Sequence, residues 1–161
     1  MSFIKKICFI VVFSLIACTA VSGDDSMDDL VKVKINDDVF DVKLENNSAT
    51  QELIKELKKG NVTVNASEYG GFEKVGDLGF SLPTSDENIG TAPGDIVLYQ
   101  GDKISLFYGS HSWSYTKLGK IDDVDSNKLK EVLGSGNVTS QDPKTSFNLL
   151  ESISSIFPSF V

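Results

Sequence analysis

The 161-residue sequence contains no arginine: all fifteen basic residues are lysines, set against 23 Asp and Glu, for a net charge of −8. An acidic chain without guanidinium groups lacks both the basic footprint and the bidentate fork that nucleic-acid recognition uses, so a nucleic-acid partner is not expected. The sequence has one histidine (His111) and two cysteines (Cys8 and Cys18). That inventory leaves almost nothing to build a zinc, haem or iron–sulfur site, and no metal or cofactor is expected. The longest uncharged apolar run, residues 7–17, is eleven residues, too few to cross about 30 Å of hydrocarbon as a helix. Hydrophobic residues nevertheless make up 40% of the sequence, which argues against disorder. The length suits one ordinary core and excludes a multidomain enzyme.

What is present at the N-terminus reads as a targeting signal. Lys5 and Lys6 precede the apolar run ICFIVVFSLIA, and small residues follow before the polar start Asp24-Asp25-Ser26. A basic region, a short apolar region and small residues make a secretory signal peptide, here residues 1–23. Cleavage after Ser22 or Gly23 suits an ordinary signal peptidase. Leu15-Ile16-Ala17-Cys18 also resembles a lipobox, in which Cys18 is acylated and becomes the mature N-terminus. Residues 24–29 (DDSMDD) then form an acidic tether. Both readings place the protein outside the cytoplasm, secreted or anchored at the cell surface. Lipid at Cys18 is the single membrane link expected. The mature chain keeps thirteen lysines against 23 acidic residues and no cysteine, so it has no disulfide, although its compartment permits one. Four Asn-Xaa-Ser/Thr sequons, at Asn46, Asn61, Asn65 and Asn137, matter only in a source that glycosylates.

The mature chain is dominated by short alternating runs. Residues 30–36 (LVKVKIN) and 39–44 (VFDVKL), separated by Asp37-Asp38, read as a β-hairpin. Its apolar residues Val31, Val33, Ile35, Phe40, Val42 and Leu44 are not expected to share one face. Ser48 and Gln51 fit a capping box for a helix carrying Ala49, Leu53, Ile54 and Leu57 on one side and stopped by Gly60. Further strands are expected at 62–67, 96–99, 104–108 and 114–121, with a glycine-broken strand between Glu68 and Gly79. Residues 82–93 read as a loop. Asp125 or Ser126 caps a short helix over 127–133, and 137–140 suggests a last strand. Phe147, Leu150, Ile153 and Phe157 fall near helical spacing, so 145–161 reads as an accessory amphipathic helix or a tail. Many short strands with two or three helices favour a mainly β fold closed into a small barrel, because closure hides the edges.

Motifs that carry chemistry are sparse. His111 sits in the polar turn Gly109-Ser110-His111-Ser112-Trp113 and reads as an exposed turn residue more readily than as a base. No nucleophile elbow surrounds Ser110 or Ser112. Asp123, Asp125 and Asn127 match the start of a calcium loop, but Lys128 stands where that loop needs Gly and Gly134 where it needs Glu, so helix capping explains them better. Gly119-Lys120 is followed by Ile121 rather than Ser or Thr, which excludes a phosphate loop. Glu68 and Glu73 read as rim charges beside glycines. The aromatic set Tyr69, Phe72, Phe107, Tyr108, Trp113 and Tyr115 is either packing or a shallow pocket for an apolar or peptide ligand. Phe107 and Tyr108 are adjacent in a strand, so they face opposite sides.

Taken in order, Asn47-Ser48-Ala49, Tyr69-Gly70-Gly71-Phe72-Glu73-Lys74, Pro93-Gly94-Asp95-Ile96, Leu106-Phe107-Tyr108-Gly109 and Leu118-Gly119-Lys120-Ile121 resemble the prokaryotic cyclophilin-like domain family over residues 30–141. The resemblance implies a closed β-barrel with a helix covering an open end, and it leaves residues 142–161 outside. Cyclophilins hold proline beside a catalytic Arg, with Gln, Phe, Trp and His around it. This sequence lacks the Arg, has Ser105-Leu106 where the Gln would precede the paired aromatics, and has Tyr115 where the His would stand, with Trp113 nearby. Lysine does not replace a guanidinium fork. The expectation is therefore an exported, non-enzymatic binding module for a peptide or small apolar ligand, held by Tyr69, Phe107, Tyr108, His111, Trp113 and Tyr115. The alternatives are an isomerase-like or other enzyme using the same aromatics, and a structural envelope protein.

Overall fold

The computed structural model describes residues 31–133 and 145–151. The signal segment, Cys18, the acidic tether and the strand expected at 137–140 lie outside the described residues. The first elements are β1 (Val31–Ile35), β2 (Asp38–Leu44), α1 (Ser48–Leu57), β3 (Val62–Tyr69) and β4 (Glu73–Asp77). Next come β5 (Glu87–Gly90), β6 (Asp95–Tyr99), β7 (Lys103–Phe107), β8 (Ser112–Ile121), α2 (Ser126–Leu133) and β9 (Thr145–Glu151). Eight strands form a closed antiparallel ring in the order β1-β9-β3-β4-β7-β6-β8-β2, and β2 returns to β1. The mainly β barrel expected from the sequence is thus the observed fold, with two helices among the described residues.

Ring closure depends on β2 lying against the end of β8, where Val42 pairs with Ile121 and Leu44 with Gly119. A Cβ on Gly119 would fall 2.5 Å from the Lys43 carbonyl oxygen, so only glycine admits that approach. The first hairpin corrects one expectation. Its register pairs Val31 with Val42 and Val33 with Phe40, which puts all six apolar residues on one face, inward. The turn at Asn36, in the left-handed region at φ 54°, sets that register, and its side-chain amide donates to the Val132 carbonyl of α2.

The C-terminal stretch is the larger correction. Residues 145–151 are neither helix nor tail: β9 inserts between β1 and β3 and supplies the barrel wall between them. Phe147 and Leu149 point inward and are buried, while Ser146 before them is exposed and Asn148 between them is half-buried, the period of a strand. Without β9, two rows of backbone donors and acceptors on β1 and β3 would lack partners. The barrel therefore extends beyond the 30–141 boundary. Residues 82–93, expected as a loop, contain β5, which pairs with the first half of β8 (Glu87 with Tyr115, Gly90 with Ser112) and is not one of the eight ring strands.

Both helices feed apolar faces into the interior cluster, α1 through Ala49, Leu53 and Leu57 and α2 through Leu129, Val132 and Leu133. The N-cap of α1 is Asn47, one residue before the expected Ser48. Its side chain accepts from the Thr50 amide at 3.0 Å, and the Thr50 hydroxyl accepts from the Asn47 amide at 3.2 Å. Asn47 wins because its side-chain amide also donates to the Lys117 carbonyl of β8 at 2.7 Å, which pins the helix to the barrel. In α2 the Asp125 side chain accepts from the Lys128 amide, the capping role foreseen for that acidic cluster.

Candidate functional site

Strand alternation sorts the chain into an inner and an outer face. On β6 and β7, Ile96, Leu98, Ile104 and Leu106 enter the main core. Val97 and Phe107 turn outward and form a second, smaller cluster with Tyr115, covered by Phe72, Ile89 and Tyr99. This outer cluster floors a pocket of about 570 Å³ on the barrel's outer wall. Tyr69 from β3, Tyr99 from β6, and Trp113 and Tyr115 from β8 supply its aromatic surface. Glu73 and Val75 from β4, Lys103 and Ser105 from β7, Gln100 and His111 complete it. Among the described large hydrophobic side chains, Tyr69 and Trp113 are the most exposed, at 61% and 56%, and both line this one pocket.

Four of the six residues expected to bind ligand, Tyr69, His111, Trp113 and Tyr115, come together here. Phe107 and Tyr108 do not. Phe107 is fully buried beneath the pocket and meets Tyr115 edge-on, with ring centroids 5.7 Å apart. Tyr108 turns into the main core, where its hydroxyl donates to the Glu68 carboxylate. The strand geometry that separates two neighbouring residues sends one below the pocket floor and the other through the barrel wall.

The entrance is shaped by the tip between β3 and β4. Gly70 and Gly71 take φ of 65° and 76°, values that L residues rarely adopt. That turn folds Phe72 back, and its ring stacks on His111 at 4.5 Å with the planes 10° apart. A Cβ on Gly70 would fall 2.2 Å from the Phe72 ring. The backbone of His111 is held in turn by Thr91, whose amide donates to the His111 carbonyl at 2.7 Å.

Glu73 is the residue the sequence reading undervalued. It is no rim charge: only 5% of its surface is exposed. Its register partner on β3 is Tyr69 and on β7 is Phe107, which puts it on the outer face, where it lines the pocket. Burial pushes its carboxyl above the usual carboxylate range, and Glu68 adds to that, while a hydrogen bond from Ser105 and the nearby His111 oppose it. Its Oε2 is buried without a hydrogen-bond partner among the described residues. Burial likewise pushes the Tyr115 phenol up to about 12, helped by the Glu73 charge. Lys103 is engaged by Asp102 at 3.0 Å and Asp77 at 3.5 Å. Parity along β4 could have placed Glu73 in the site, since it shares the outer face with Val75.

The described residues contain no group of three or more His, Cys, Asp or Glu that could hold a metal ion. A family model described as the cyclophilin-like family matches residues 33–141. The chain belongs to the cyclophilin-like family. Comparisons with curated proteins and with solved structures found no match. The family match ends before β9, so this cyclophilin-like barrel is closed by a strand outside the matched segment. The cyclophilin-like pocket is built from aromatic rings and one buried carboxyl, and the sequence brings no guanidinium to it.

Proposed function

We propose that this cyclophilin-like protein is exported and acts as a non-enzymatic binding module, taking a peptide segment or a small apolar ligand in the outer-wall pocket. The observation that carries the reading is the convergence of the two exposed aromatics, Tyr69 and Trp113, on one concavity. Exposed aromatic rings forgo burial that a core would give them, and a largely preformed apolar recess with a few polar groups is the usual form of a ligand site. Twisting a prolyl bond faces a barrier of about 18–20 kcal/mol, and no arginine is available to stabilise the twisted amide. Export rests on Lys5, Lys6 and the apolar run over 7–17, with Cys18 as the acylation point if the lipobox is used.

The purified chain should bind a neutral naphthyl probe, read by quenching of Trp113, the only tryptophan in the sequence. Tyr69→Ala should weaken binding at least fivefold. No turnover of a proline peptide should be seen, and measurable isomerisation would refute the non-enzymatic reading. Mass spectrometry of the mature N-terminus distinguishes cleavage at 22–23 from a diacylated Cys18, and an uncleaved N-terminus removes the export proposal.

A further inference from the structure

We propose that the ligand of this pocket carries an alkylammonium group, held between the Glu73 carboxylate and the aromatic faces of Tyr69, Tyr99, Trp113 and Tyr115. This deepens the binding reading above and rests on it. The polar groups of the pocket narrow the choice of ligand. Lys103 is neutralised by Asp102 and Asp77, so it does not call for an anion. His111 is stacked flat on Phe72. Glu73 remains, nearly wholly buried, with one carboxylate oxygen unmatched among the described residues.

A buried carboxylate without a full set of donors is costly, and such a group in a folded protein asks for an explanation. A neutral apolar ligand buries Glu73 further and brings no compensating charge. An anionic ligand faces Glu73 and a chain of net charge −8. An alkylammonium group in the recess supplies a compensating charge beside Glu73. Its carbon chain fills the apolar part of the recess, and the ring faces attract the cation through their quadrupoles. The net charge of the chain draws cations toward it.

The test uses the full chain and the fluorescence of Trp113. The probes are n-butylammonium, its neutral isostere n-butanol, and butyrate. Butylammonium should bind at least tenfold more tightly than either. Glu73→Gln should bring the ammonium-to-alcohol preference close to one. Asp37→Asn, which removes an exposed acid in the β1–β2 turn, should leave that preference standing. If Asp37→Asn reduces the preference as much as Glu73→Gln does, net charge alone explains it and the inference is overturned. A lysine peptide and its norleucine counterpart separate the two sources: preference for the lysine peptide over free butylammonium points to a protein side chain, the reverse to a free amine, and both support an ammonium site. If the naphthyl probe binds and no ammonium probe does, this inference fails and the binding reading stands. If no probe binds, both fail.

Discussion

Lys74 Nζ lies 3.1 Å from Glu68 Oε2, and the lysine is wholly buried inside the barrel. The two residues face each other across β3 and β4, and Glu68 Oε1 also accepts from the Tyr108 hydroxyl and from the Gly71 amide. A buried ion pair is weak evidence for stability as a pair, but removing one partner strands the other. Glu68→Ala leaves a buried ammonium without a counter-charge and should cost about 3–5 kcal/mol. Lys74→Met replaces the ammonium with an apolar side chain of similar length, and Glu68 keeps two donors. That variant should lose far less. Chemical denaturation of both variants checks the asymmetry, and equal losses would contradict it.

Glu73 couples stability to pH. Its carboxyl is raised, chiefly by burial, so the folded form holds the proton more tightly than the unfolded chain. The contribution is fully present below the unfolded carboxyl value of about 4.3 and is lost as pH rises through the folded value. Glutamine does not titrate. Glu73→Gln should therefore gain stability relative to the parent chain as pH rises above that range. Melting temperatures of the two proteins across pH should diverge, and a constant difference would mean that Glu73 ionises as freely as in the unfolded chain.

Phe72 positions His111. Phe72→Leu removes a stacked ring while keeping an apolar side chain and should cost about 0.5–1.5 kcal/mol for the lost pair. It should also shift the imidazole proton resonances of the single histidine. Gly70→Ala should reproduce the shift with both rings still present, because its Cβ displaces the Phe72 edge. If Gly70→Ala leaves the imidazole resonances in place, the glycine turn does not set the stack.

The barrel wall supplied by β9 has a direct check. Phe147 is 1% exposed, so Phe147→Ala should cost about 3–5 kcal/mol. Ser146→Ala on the exposed side should change stability by less than about 0.5 kcal/mol. A small loss for Phe147→Ala in thermal or urea unfolding would place residues 145–151 outside the fold.

The ring of strands was legible because apolar residues alternate where one face is buried, as in VKVKI. Two elements were hidden for physical reasons. In β9, Phe147 and Leu150 are three residues apart and suggest a helix, although the inward pair is Phe147 and Leu149. In β5 the sequence ENIG buries no side chain fully, so its pairing with β8 leaves almost no hydrophobic trace. The site was half legible. Aromatic residues announce themselves, and four of the six meet in the pocket. Phe107 and Tyr108 could not be assigned to faces without the register. Glu73 read as a rim charge beside glycines, and only its strand parity and tertiary packing show that it is buried.

The placement of β9 also orders the birth of the molecule. During synthesis β1 emerges first and β9 last, yet each is the other's neighbour in the finished ring. The cylinder cannot seal until residues 145–151 have been made, so β1 and β3 must wait with open sides.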